Sequence, residues 1–145
     1  MRIFFSLLIF FICINNLYAA GASDDNELIE PLPTEIVSLI EKADYSSSIE
    51  KLKKFLEKNK NSADAWNYLG YSERKIGLYD DSMESYKRAL KINKKHLGAL
   101  EYQGELFILL GDLKNAKKNL KKIGKYCGLD CEEYLELQEV IENFN

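Results

Sequence analysis

With 145 residues, 20 of them Lys or Arg and 23 Asp or Glu, the chain has room for one ordinary domain and not for two of good size. Its formal net charge of −3 removes any general attraction to nucleic acid. Hydrophobic residues make up 46% and charged residues 30%, with two prolines and eight glycines to interrupt regular structure, a balance that favours a compact, helix-rich domain. One histidine, one tryptophan and three cysteines leave little with which to build a zinc centre, a histidine-based triad or a haem pocket, so no catalytic residue, metal site or cofactor is expected.

The chain opens with Met1-Arg2 and an uncharged apolar run from Ile3 to Ile14, closed by Asn15-Asn16. As a helix, twelve such residues span about 18 Å, short of the roughly 30 Å hydrocarbon slab. Small residues follow at Ala19, Ala20, Gly21 and Ala22. Residues 1–22 therefore read as a signal peptide cleaved after Ala19 or Ala22, which predicts a periplasmic or secreted protein with no stable membrane insertion after cleavage. The alternative is a membrane anchor made by residues 3–18. Cys13 is preceded by Phe11 and Ile12, where lipid attachment would want small residues. After cleavage Cys127 and Cys131 are the only cysteines left, and an oxidising compartment predicts a disulfide between them.

Residues 23–33, SDDNELIEPLP, are acidic, hold both prolines and show no apolar period; they read as a flexible linker. Beyond them the chain is self-similar at a period of 34, pairing Gly70 with Gly104, Gly77 with Gly111, Trp66 with Leu100, Ser82 with Ala116 and Tyr86 with Leu120. One interval earlier, Tyr45, Ser48, Leu52 and Leu56 stand under Tyr79, Ser82, Tyr86 and Leu90. The domain at 34–145 thus divides into a degenerate unit at 34–62, a unit at 63–96, another at 97–127 and a terminal helix at 131–145. Within each unit, apolar residues at steps of three and four predict helix, turn, helix, with Gly77 and Gly111 able to take the left-handed cap conformation. Gly70, Ser82 and Gly104 are small where two helices must approach closely. Asp112 is placed to cap the helix after Gly111, and Asp130 with Glu133 predicts a capping-box start for the last helix. That helix covers the apolar end of the stack with Tyr134, Leu137 or Gln138, Ile141 and Phe144 and turns Glu132, Glu133, Glu136, Glu139 and Glu142 outward.

The stretch ADAWNYLGYSERKIGLYDDSMESYKRALKIN, Ala63 to Asn93, resembles the tetratricopeptide repeat at Trp66, Leu69, Gly70, Gly77, Tyr79, Asp80, Tyr86, Ala89, Leu90 and Ile92. It departs at Glu73, where an aromatic is usual, at Ser82, where alanine is usual, and at Lys94, where proline is usual. Together with the export signal and the Cys127–Tyr134 segment CxxxCEEY, the chain is similar to small exported repeat proteins of Gram-negative bacteria. The resemblance implies an all-α fold, a right-handed αα superhelix of about 2.5–3 helix-turn-helix repeats plus a C-terminal capping helix, used as a non-enzymatic scaffold for a protein or peptide. It also implies that the first helix of each pair lines the concave side. The candidate partner-binding residues are then Asn67, Tyr71, Arg74, Lys75, Glu101, Tyr102, Glu105 and Ile108. The lysine and asparagine arrangement that clamps carboxyl-terminal peptides is not recognisable.

Two further features bear on function. Lys114, Lys117, Lys118, Lys121, Lys122 and Lys125 form a basic stripe, and residues 91–125 carry a local charge of +6 against −6 in the last twenty residues; the two blocks are expected to attract weakly. An anionic partner is the other use for such a stripe, while nucleic acid is disfavoured by export and by the lack of stacking aromatics. On a continuous helix, side chains four apart lie about 5–6 Å from each other, too far for the roughly 3.8 Å of a disulfide, so the bridge requires Gly128 to end a helix. The alternative function is a small copper or thiol-disulfide carrier built on Cys127 and Cys131, although three residues intervene where redox pairs have two. His96 is expected to cap or decorate a helix start.

Overall fold

The computed structural model describes residues 30–144. The signal peptide and most of the acidic linker expected at 1–33 lie outside the described residues. Among the described residues there are seven helices and no strand: α1 (Thr34–Glu41), α2 (Tyr45–Lys58), α3 (Ala63–Lys75), α4 (Tyr79–Ile92), α5 (Leu97–Leu109), α6 (Leu113–Cys127) and α7 (Glu132–Glu142). The all-α expectation holds, and the helices form three antiparallel pairs, α1/α2, α3/α4 and α5/α6, with α7 laid on α5 and α6.

The turns inside the pairs repeat in atomic detail. Leu78 N donates to Glu73 O at 2.9 Å and Gly77 N to Arg74 O at 3.1 Å. The same two bonds recur 34 residues earlier, Asp44 N to Leu39 O and Ala43 N to Ile40 O, and 34 later, Asp112 N to Phe107 O and Gly111 N to Ile108 O. This geometry needs a positive φ at the closing residue, which Gly77 (+82°), Gly111 (+77°) and Ala43 (+59°) all adopt. Glycine does so without steric cost; at Ala43 the Cβ crowds the following carbonyl. Caps fix the helix starts: Asp44, Ser62, His96 and Asp112 each accept from the amide three residues on. At 78 the corresponding residue is Leu, and α4 has no side-chain cap.

Two clusters make the core. Ile36, Ile49, Leu52, Leu56, Ala65 and Leu69 fill the space among α1, α2 and α3, and Leu100, Ile123 and Leu137 tie α5, α6 and α7. Between them the backbones approach where side chains are short. A Cβ on Gly70 would stand 2.8 Å from the Tyr86 ring, and one on Gly104 would stand 2.5 Å from a Leu137 methyl. Ser82, in the place of the usual alanine, is fully buried yet satisfied, donating through Oγ to Gly70 O at 2.7 Å. Trp66 Nε1 donates to Lys60 O at 2.8 Å, and the Arg88 guanidinium lies 4.7 Å above its ring.

The terminal helix departs from expectation at its start and its faces. Cys131, not Asp130, is the N-cap, with no side-chain cap bond, because the Cys127–Cys131 disulfide ties that residue to the end of α6. Gly128 at φ +100° ends α6 and allows the bridge. Leu137 is fully buried while Phe144 is 41% exposed. Among the described residues no ion pair joins the exposed lysines of α6 to the glutamates of α7; Glu132, Glu136, Glu139 and Glu142 are exposed, as expected, and Glu132, Glu133 and Glu136 border a cavity.

Ala43→Gly removes the crowding at φ +59° and stabilises the fold by about 1 kcal/mol, raising Tm by about 4 °C in a thermal melt. Gly104→Ala drives a methyl into fully buried Leu137 and destabilises by about 1–3 kcal/mol in denaturant titration, an effect that shrinks on a Leu137→Ala background.

Candidate functional site: a groove on the first helices

A cavity of about 590 Å³ is lined by Leu32 and Val37 beside and on α1, by Asp64, Asn67 and Tyr68 on α3, by His96, Gly98, Glu101 and Tyr102 at and along α5, and by Glu132, Glu133 and Glu136 on α7. No residue of α2, α4 or α6 contributes. The cavity is therefore a groove along the first helices of the pairs, closed at one end by the terminal helix. Five of its lining residues are acidic and none is Lys or Arg. His96, which caps α5 through Nδ1, places Nε2 2.9 Å from Asp64 Oδ1.

Glu101 is the deepest of these acids, 3% exposed, and one of its oxygens, Oε1, has no hydrogen-bond partner among the described residues. Burial first, then the carboxyl of Glu136 hydrogen-bonded beside it, then the charges of Glu105 and Glu133, push its carboxyl up to about 9. Such a group is protonated at neutral pH. Asn67, 4% exposed, likewise has an unpartnered Oδ1 among the described residues.

Tyr102 connects the groove to an aromatic rim. Its ring lies 5.0 Å from that of Tyr71, which lies 6.0 Å edge-on from Tyr45. The Arg74 guanidinium stands 5.6 Å from the Tyr71 ring and 5.8 Å from that of Tyr102, held there by Glu105 at 2.5 Å. Lys75 Nζ lies 5.6 Å from the Tyr71 ring. Burial, with Glu101 next, raises the Tyr102 phenol, and burial with Tyr45 raises that of Tyr71. The ring faces are thus neutral, electron-rich surfaces beside cations.

Of the eight residues singled out in the sequence, Tyr71, Arg74, Lys75, Tyr102 and Glu105 meet at this rim, and Asn67 and Glu101 form the wall of the groove. Ile108 stands apart: it is 7% exposed and belongs to the core, because it lies one turn beyond Gly104 on the side that packs. Sequence reasoning missed Tyr45, Tyr68, Asp64, Glu133 and Glu136. Carrying the period of 34 one step further would have aligned Glu132 with Gly98 and Asp64; Tyr45, at the start of a second helix, carried no such signal.

A larger cavity, about 1160 Å³, lies among α2, α3 and α4. Its charges are of both signs and partly paired: Lys87 bonds Glu84 at 2.7 Å, and Glu73, buried in place of the usual aromatic, accepts from Ser85 Oγ at 2.7 Å with Lys53 at 3.8 Å. Burial raises the Glu73 carboxyl, opposed by Ser85 and Lys53.

The family model of the tetratricopeptide repeat matches residues 63–96. The fold is similar to that of the Yersinia enterocolitica type III secretion chaperone SycD, solved in complex with a peptide of the translocator YopD, at a TM-score of 0.66 and 15% identity over 77% of this chain and 84% of that one. Residues 63–96 form a tetratricopeptide repeat, within a fold like that of tetratricopeptide repeat proteins. It is similar also to the first such domain of Spaghetti (RPAP3) bound to the HSP90 peptide SRMEEVD, at a TM-score of 0.68 and 14% identity over 75% of this chain and 86% of that one. A chain of the CopN-Scc3 complex matches at a TM-score of 0.62 and 21% identity, with 76% of this repeat protein covering 64% of that chain. No curated protein matches it by sequence.

The cysteines of this repeat protein, with Glu133, make the one group among the described residues whose ligand atoms converge as metal ligands would. Both sulfurs are in the disulfide, so no thiolate is present there to bind a soft metal. Among the described residues no helix is long and apolar enough to cross a membrane.

Glu101 is faced by Glu133 and Glu136 of α7, by Glu105 of its own helix, and across the groove by Asp64, Tyr68 and His96. Its folded carboxyl titrates above the unfolded value of about 4.5, so its stabilising contribution is full below pH 4.5 and is lost as pH rises toward about 9. Glu101→Gln should match the native Tm at pH 4 and exceed it increasingly from pH 6 to 9.

Proposed function

We propose that this repeat protein is a non-enzymatic adaptor that holds a protein or peptide along its first helices, and that it works in the periplasm after loss of residues 1–22. The observation that carries the reading is the continuity of the acidic groove with the Tyr45, Tyr71 and Tyr102 rim. A rim of this kind offers rigid aromatic area and a fixed guanidinium beside a concave wall, the surface chemistry on which binding energy concentrates. Similar folds solved with a YopD peptide and with an HSP90 peptide support a peptide or protein as the occupant. The export half of the proposal rests on the apolar run Ile3 to Ile14 and the small residues after it.

A carrier built on Cys127 and Cys131 has less support, because the two cysteines are already spent as a staple between α6 and α7.

In affinity capture from periplasmic extract, Tyr71→Ala with Tyr102→Ala should lower recovery of the bound protein at least tenfold, about 1.4 kcal/mol, with helical circular dichroism retained. Arg88→Ala, in the opposite cavity, should leave capture unchanged, and Cys127→Ser with Cys131→Ser should lower Tm without loss of capture. Undiminished capture by the tyrosine double variant would overturn the reading. The mass of the captured chain should lack the first 19 or 22 residues.

A further inference from the structure

We propose that the acidic cavity between α3, α5 and α7 is a pocket for one basic side chain, a lysine ammonium or arginine guanidinium, of the protein or peptide held on this face. The inference rests on the reading of that face as the partner's and adds the chemistry of what enters it.

Two observations converge on a cationic, donor-only occupant. The cavity wall carries Asp64, Glu101, Glu132, Glu133 and Glu136 with no Lys or Arg among its lining residues. Independently, the two unpartnered side-chain atoms on that wall, Glu101 Oε1 and Asn67 Oδ1, belong to residues only 3% and 4% exposed, and both are acceptors. A buried acceptor without a donor costs about 1–3 kcal/mol. Ammonium and guanidinium groups donate hydrogen bonds and accept none, so either would relieve both atoms, whereas a carboxylate or phosphate would add acceptors to acceptors. Exposed Glu136 lies against Glu101, and an incoming N–H group would sit between the two carboxyls.

An organic cation suits the walls better than a metal ion. Among the described residues, no three carboxylates of this cavity bring their oxygens within 4.8 Å of one another, the convergence a metal ion demands. Tyr68 and Tyr102 line it with aromatic surface, and Leu32 and Val37 offer apolar surface to a methylene stem. The chain's own acidic stretch, with Asp24, Asp25, Glu27 and Glu30, has the same sign as the cavity and lacks the cation it calls for.

The test is a ¹⁵N-labelled full chain titrated at constant ionic strength with n-butylammonium, methylguanidinium, n-butanol and Ca²⁺, read at the Asn67 side-chain amide and the Gly98 backbone amide. The two organic cations should give saturable shifts and butanol none. Glu101→Gln and Glu136→Gln should each weaken the response at least tenfold, the second at an exposed position where folding is not at stake. Glu139→Gln, which removes the same charge outside the cavity, should leave it unchanged. Absence of saturation, an equal loss in Glu139→Gln, or tighter response to Ca²⁺ would overturn the proposal. Loss of partner capture in the tyrosine double variant with full capture by Glu101→Gln would overturn the pocket and leave the adaptor reading standing.

Discussion

Each helix pair in this protein turns on the same two backbone hydrogen bonds, and those bonds require a residue that tolerates a positive φ. The requirement recurs at 43, 77 and 111, and everything larger follows from it. An identical turn sets an identical angle between the helices of a pair, and identical pairs can stack only by rotating in one sense. The first helices then fall on one side and the second helices on the other. A groove lined by α1, α3, α5 and α7 is the geometric by-product of that repetition.

The close-approach positions convert the repetition into a defined surface. Gly70 lets the Tyr86 ring seat between α3 and α4, and Gly104 lets Leu137 of α7 seat against α5. The second contact has the larger functional consequence. By fixing the rotation of α7 about its own axis, it brings Glu133 and Glu136 beside Glu101. A carboxyl held 3% exposed beside another carboxyl is a local conflict that packing alone would remove with an apolar residue. It stands at the wall of a cavity, next to a second acceptor, on Asn67, that has no partner among the described residues, and local conflicts of this kind concentrate at functional sites. The opposite cavity shows the contrast: there Glu73 is buried too, but Ser85 and Lys53 answer it.

Much of the scaffold was readable from residue spacing. Glycines 34 apart, apolar steps of three and four, and cap residues such as Asp112 are local signals, and helix formation responds to local signals. Within the first helices the same spacing separates residues that pack from residues that do not, which is why Tyr71, Arg74, Tyr102 and Glu105 could be picked out and are found together. Ile108 could not be separated in this way, since a position one turn past Gly104 faces the core or the groove depending on the tilt of the neighbouring helix. Tyr45 was invisible for a different reason: it reaches the rim from the start of a second helix, across a turn whose shape is set by Ala43 at φ +59°.

The sequence by itself determined the helix pairs, their period, the residues that close their turns and the apolar seam each helix buries, because these depend on contacts between residues a few positions apart. Only the tertiary structure decided that Glu133 and Glu136 of the terminal helix border Glu101, that Cys131 rather than Asp130 begins it, and that the basic stripe of α6 stays unpaired with it. Those outcomes turn on the rotation and docking of one helix against two others, set by Leu137 against Gly104 and by the Cys127–Cys131 bridge. Helical periodicity states which residues share a face; it carries no information about which faces meet.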